Sequence, residues 1–418
     1  MKSAQKSSLK HLLLIAATGL VLCVGTSHAK SACPNRGTPS AEDPLDMLVI
    51  GDSILWGQGL KREHKSWWRV KCWLEEKTGR EVKEEIRAHS GAVLVTPADP
   101  SEKFMSRDGE INQSLPSINQ QLDEAIRSYG ADRTKVDLIL VDGCVNDVGV
   151  SSMLNAALSL ESLRPSIEAH CRGNMTELLR RIVVGFPNAQ VIVTGYYPSI
   201  SSETDDNAFL RLLVKKLARD EEGAKNGKAR VLTYAEMRQQ LVALSEEWYR
   251  LSTSSLAAAV SQVNLEGSEK SLPARVTFVE IDFWPEHAFA APNTLLWNFK
   301  LGSTNLSGFR KIIVALSFGS AAFKPNDETR EERSRSCKET FKKPKGVKET
   351  KLEKQFREER YLTCRYASLG HPNQNGALLY AEAIKGHLRP LIEKAGWVRD
   401  RNGTMKSAQP PSQPATAP

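Results

Sequence analysis

Apolar and polar positions along the chain fall into two alternating kinds of segment. Met47-Leu48-Val49-Ile50, ending at Gly51, is a short continuous apolar run. Val136 to Val141, Ala189 to Gly195 and Val276 to Ile281 repeat the pattern. Runs this short, closed by glycine or polar residues, fit strands buried on both faces. Between them lie longer stretches of helical periodicity. The first spans Arg62 to Thr78, with Trp67, Trp68, Val70, Cys72 and Leu74 as its apolar positions. The others are Met175 to Val184, Ala208 to Arg219, Tyr234 to Val263 and Gly376 to Ala395. Strands alternating with long helices predict parallel pairing through right-handed crossovers, and so an α/β class, three-layer α/β/α domain with a parallel central sheet. In such sheets the functional residues gather where the carboxyl ends of the strands open into a crevice.

Composition narrows the picture. Of 418 residues, 40% are apolar and 25% charged, close to a globular average, which excludes a disordered chain, a collagen and a polytopic membrane protein. The formal net charge of +8 includes Lys2, Lys6 and Lys10, so the remainder is too small to argue for nucleic-acid binding. Those lysines precede an apolar run from Leu12 to Gly25 and then Ser27-His28-Ala29, with small residues where a signal peptidase reads. Residues 1–29 are therefore expected to be a secretory signal peptide and the protein to be secreted or periplasmic. A linker is expected over 30–45, the folded domain over 46–396 and a disordered tail over 397–418. Once the signal is removed no transmembrane segment is expected; peripheral association with the envelope stays open.

Export permits disulfides. Six cysteines follow the leader: Cys33, Cys72, Cys144, Cys171, Cys337 and Cys364. No CxxC or CxxH pair exists, so no metal site is expected. The favoured pairings are Cys337 with Cys364 and Cys144 with Cys171. Residues 324–360 hold 13 basic and 9 acidic side chains and few apolar ones, and read as a solvated surface insertion. A flap over the site, or a patch that meets an anionic surface, is the alternative.

Chemistry concentrates at the strand ends. Gly51-Asp52-Ser53 puts a serine directly after a buried strand at the mouth of a helix, where its hydroxyl can act as nucleophile. After Glu85-Ile86-Arg87, Gly91 allows close backbone approach to a ligand. Asp142-Gly143-Cys144-Val145-Asn146-Asp147 brings a neutral amide donor, Asn146. Near the C-terminus, Ser368-Leu369-Gly370-His371-Pro372-Asn373 offers His371 as general base. These four blocks, in this order, resemble the SGNH or GDSL hydrolase family of esterases, lipases and carbohydrate deacetylases. The resemblance runs from about Asp46 to Leu391 and implies an SGNH hydrolase-like, flavodoxin-like fold. It implies Ser53 and His371 as catalytic residues. The oxyanion hole would be the Ser53 and Gly91 N–H groups with the Asn146 side chain.

Three departures stand out. The family commonly writes its last block Asp-x-x-His, with the aspartate orienting the histidine; here that position is Ser368. Its main-chain carbonyl could orient His371, a carboxylate such as Asp142, Glu280, Asp282 or Glu286 could substitute, or activity is low; the carbonyl is preferred. Cys144 stands where many members have glycine. The chain is also about twice the length of small members, and Phe283 to Phe289 with Trp297 could supply either an aromatic pocket wall or plain core. The resulting expectation is a secreted serine esterase without metal or cofactor, acting on lipid, short-chain acyl or acetylated glycan esters. An acyltransferase of the same fold and a catalytically weak acyl-glycan binding protein are the alternatives.

Overall fold

The computed structural model describes residues 33–34, 39–97, 106, 108–206, 232–301, 323–343, 346–394 and 397. Arg36–Pro418 is one compact unit; of the other, Met1–Asn35, only Cys33 and Pro34 are described. Five strands form the central sheet: β1 (Ser40–Ile50), β2 (Arg80–Ile86), β3 (Val136–Val141), β4 (Gln190–Thr194) and β5 (Val276–Val279). All pair in parallel, in the order β2-β1-β3-β4-β5. Met47 to Ile50 and Leu138 to Val141 are almost wholly buried, because β1 and β3 are interior strands covered on both faces.

The principal helices are α1 (Ser53–Trp56), α2 (Ser66–Thr78), α3 (Ile118–Tyr129), α4 (Val145–Val148), α5 (Met175–Gly185), α6 (Tyr234–Ser268), α7 (Arg330–Thr340), α8 (Lys351–Arg365) and α9 (Gln374–Lys394). Helices α2 and α9 pack together on one side of the sheet. On the other, α3 meets α5 and α5 meets α6, giving the three-layer α/β/α arrangement. Local chemistry sets several starts. Ser117 with Gln120, Thr233 with Glu236 and Thr350 with Glu353 close capping boxes at α3, α6 and α8.

Boundaries shift where polar residues hide the pattern. β1 begins at Ser40, inside the stretch read as linker, because its polar first half pairs only at the sheet margin with Arg80 and Val82. The helix expected from Arg62 opens instead with a 3₁₀ turn, Arg62–His64, before α2 starts at Ser66. Helix 208–219 and the leader lie outside the described residues, as does the tail apart from Trp397, which is buried. The disulfides Cys144–Cys171 and Cys337–Cys364 are both present, and Cys33 and Cys72 are also in disulfide form.

The charged insertion departs most from expectation. Its outer face is solvated, yet α7 buries Arg333 completely and Cys337 with it, while the second disulfide staples α7 to α8. Ahead of α7, Glu328 and Thr329 donate their backbone N–H groups to the Gly59 carbonyl, tying the segment to the loop that follows α1. It is a docked element, because one of its cations has found buried acidic partners.

Candidate active site

Ser53 opens α1 immediately beyond β1. Asp52 is the N-cap, its Oδ1 accepting the Ile54 N–H at 2.8 Å. Asp142, at the end of β3, accepts the Asp52 N–H at 2.7 Å and the Leu55 N–H at 2.9 Å, fixing the turn from beneath. Gly51 has a φ of +149°, and a Cβ there would collide with the Asp142 carboxyl, so only glycine fits. Both carboxyls are buried. Burial pushes Asp52 up to about 6, and burial together with the Asp52 charge pushes Asp142 well above the ordinary carboxylate range. The two are hydrogen-bonded to each other, and the Tyr196 hydroxyl donates to Asp52 Oδ2 at 2.7 Å.

Ser53 Oγ lies 2.7 Å from His371 Nε2, across 318 residues of sequence. The His371 loop is pinned from behind. Trp297 donates its N–H to the His371 carbonyl at 2.7 Å, Gly370 donates to the Trp297 carbonyl at 3.0 Å, and the Tyr197 hydroxyl donates to the Gly370 carbonyl at 2.8 Å. Burial pushes His371 down to about 4, so the ring is neutral at neutral pH and can accept a proton. Its Nδ1 is buried facing the Leu369 and Ser368 carbonyls, which favour the protonated ring, without closing a well-formed hydrogen bond.

Gly91 and Asn146 frame the second and third strand ends. Gly91 has a φ of +82°, and a Cβ there would strike Asn112 and Gln113. Asn146 Nδ2 donates to the Ala92 carbonyl at 2.9 Å, while both Asp147 oxygens accept the Leu94 N–H at 3.0 and 2.9 Å, clamping the two blocks together. The amide of Asn146 thus keeps a second N–H in reserve. Neither the Ser53 nor the Gly91 N–H has an acceptor among the described residues. Cys144 sits at φ +104°, a conformation that favours glycine and costs other residues about 1–2 kcal/mol. Glycine fits that geometry without strain, and here a disulfide-bonded residue occupies it.

Other residues expected from sequence to serve the site lie elsewhere. Glu280 accepts the Tyr249 hydroxyl, Asp282 is exposed, and Asp142 serves the Ser53 turn; none hydrogen-bonds to His371. Phe283 stacks on Tyr197 with ring centroids 4.8 Å apart, and Trp297 packs with Leu60 and Ala377, so both are core, while Trp284 is 55% exposed. Tyr196 and Tyr197 were missed, although they follow β4 as the other blocks follow their strands. Missed too was a buried cluster next to His371. In it the Ser368 hydroxyl donates to Asp327 Oδ2 at 2.7 Å and accepts from Arg333 Nη2 at 2.9 Å. Among the described residues no group of three His, Cys, Asp or Glu could hold a metal ion.

No family model and no curated protein matches the chain. Solved structures similar to it include an extracellular lipase from Streptomyces rimosus, 13% identical over 60% of this chain and 87% of that one, with a TM-score of 0.33. A phospholipase A1 from Streptomyces albidoflavus NA297 is 12% identical over 63% of this chain and 90% of that one, with a TM-score of 0.34. An acetyl xylan esterase from the rumen bacterium Butyrivibrio proteoclasticus is 12% identical over 51% and 66%, with a TM-score of 0.24. The five-stranded parallel sheet in this order, with three of the blocks just after β1, β2 and β3 and His371 brought to Ser53, is the three-layer α/β/α arrangement that the resemblance to the SGNH hydrolases implies.

Proposed function

We propose that this chain is an exported serine hydrolase of carboxylic esters. The observation that carries the reading is the 2.7 Å contact of Ser53 Oγ with a neutral, buried His371 Nε2. Two backbone N–H groups without acceptors among the described residues, those of Ser53 and Gly91, support it. His371 takes the hydroxyl proton as Ser53 Oγ bonds to the ester carbonyl carbon. The oxyanion is held by the Ser53 and Gly91 N–H groups and the remaining N–H of Asn146. As the tetrahedral centre collapses, His371 returns the proton to the leaving alcohol. Water then attacks the acyl-Ser53, giving its proton to His371, and the carboxylic acid departs as Ser53 is reprotonated. The reaction needs no cofactor. The substrate is a lipid, short-chain acyl or acetylated glycan ester.

Export is proposed from the leader together with the oxidised cysteines. Among the described residues no helix is long and apolar enough to cross a membrane. A serine-directed phosphonate, followed by peptide mass mapping, tests the chemistry. Ser53 should be the labelled residue, and Ser53→Ala should abolish turnover of a short-chain nitrophenyl ester while leaving the unfolding transition in place. Label on another serine, or turnover surviving in Ser53→Ala, would overturn the assignment.

A further inference from the structure

We propose that Asp327, supplied by the insertion and acting through the Ser368 hydroxyl, is the carboxylate that positions His371, with Arg333 as the cation that holds it in place. This rests on the hydrolase reading of the site and names the group that the Asp-x-x-His position lacks.

The cluster is buried and closed. Arg333 and Asp327 have fully buried side chains and meet in a two-pronged pair, Nη1 to Oδ1 at 2.9 Å and Nη2 to Oδ2 at 2.7 Å. The Ser368 hydroxyl sits on the same edge, bonded to both partners. Arg333 Nη1 also reaches Glu110 Oε2 at 3.2 Å. Glu110 in turn accepts from the Trp56 indole, the Gln58 amide and the Gly59 N–H, at or just beyond the end of α1. One arginine therefore joins the segment after Ser53 to the loop that carries His371. Close packing makes this possible: Gly59 has a φ of +82°, and a Cβ on it would lie 2.9 Å from Asp327 Cβ, Ser368 Cβ and Trp297 Nε1.

A buried ion pair is a poor choice if stability alone matters, since taking two charges out of water carries a large desolvation penalty. The arrangement is economical if its purpose is orientation. Ser368 cannot carry charge, but its hydroxyl is locked by Asp327, which fixes the Ser368 backbone whose carbonyl faces His371 Nδ1. The groups facing the ring are the Ser53 hydroxyl from α1, the Ser368 and Leu369 carbonyls from its own loop, and Asp327 and Arg333 from the insertion. Asp327 raises the ring's basicity and Arg333 lowers it, with Glu110 offsetting Arg333 from the far side.

The test compares Ser368→Ala, Asp327→Asn and, as control, Glu331→Gln, an exposed acid on α7 away from the cluster. Each is assayed for kcat and KM, pH profile, phosphonate labelling rate and thermal unfolding. Removing an orienting carboxylate that touches its histidine costs up to about 10⁴ in kcat; acting at one remove, Ser368→Ala and Asp327→Asn should lose roughly ten- to a hundredfold. The loss should fall in kcat and labelling rate, with KM little changed. Asp327→Asn should also move the acid limb to lower pH, because Arg333 is then offset only by Glu110 and the loop carbonyls. Glu331→Gln should match the parent. If Asp327→Asn does not fold, Ser368→Ala decides, since it deletes only a hydroxyl. Kinetics within about threefold of the parent in Ser368→Ala, with or without a lower melting temperature, would overturn the inference while Ser53 labelling still upholds the hydrolase reading. Failure of the parent itself to label at Ser53 would overturn both.

Discussion

At the residue scale, the distinction between Ser53 and dozens of other hydroxyls is positional: a turn fixed by Asp142, an imidazole at hydrogen-bond distance, and N–H groups with no acceptor among the described residues. Asn146 is the side chain whose proposed role can be read most directly from rate. Asn146→Ala should reduce kcat by roughly a hundredfold or more if it stabilises the oxyanion; a loss under about tenfold would remove it from that role. The lowered basicity of His371 gives a second expectation. The proposed mechanism requires the neutral ring, so protonation should remove activity as pH falls. The acid limb should therefore lie near 4, with kcat/KM nearly flat from neutrality to about pH 5. A limb at the unperturbed value near 6.5 would mean that water reaches the ring. Ser53, Gly91 and Asn146 can be nominated from sequence because each belongs to a short block just after a strand, and His371 because its block leads into α9. Asp327 cannot: 41 residues separate it from Ser368, and nothing local distinguishes it from the other acids of a charged stretch.

At the scale of elements, the buried strands announced themselves through unbroken apolar runs, while the insertion was hidden by its charge. Counting Lys, Arg, Asp and Glu measures how much charge a segment has, not which charge finds a buried partner. Arg333 is one among the insertion's cations, yet it is the fully buried one in α7 and the one bonded to Glu110, Asp327 and Ser368. The Cys337–Cys364 disulfide closes the loop that holds α7 against α8, with a separation of 27 residues. Loop-closure entropy for that length gives roughly 3–4 kcal/mol on an unfolded-state account. The double variant Cys337→Ala/Cys364→Ala should thus unfold at lower denaturant, by about that amount in free energy. If α7 positions the His371 loop, kcat should fall further than KM rises. Full activity in a measurably destabilised double variant would show that the insertion is a structural addition alone.

At the scale of the whole molecule, the fold concentrates ionisable groups in its interior, and this sets how stability responds to pH. Burial raises Asp52 and Asp137 to about 6, and Asp46, Asp142 and Asp147 are raised as well. Each binds its proton more tightly when folded than when unfolded. Their contribution is therefore fully present below the unfolded carboxylate value and is lost as pH rises through the folded one. His371 acts oppositely: unfolded it protonates near 6.5, folded only near 4, so stability is lost as pH falls across that window. Carboxylates held low by arginines or by hydrogen bonds, Glu247, Glu266, Glu328, Glu331 and Glu349, weaken the fold only in stronger acid, and screening at the surface keeps their share small. Between about pH 4 and 6 the raised carboxyls outnumber the single histidine. The melting temperature should then be highest near pH 4 and decline as pH rises toward about 6. A melting temperature that climbs steadily from about pH 5 to 8 would mean that the interior carboxyls are ionised at little cost. Burial would then not be what sets the protonation of Asp52 and Asp142 beneath the Ser53 turn.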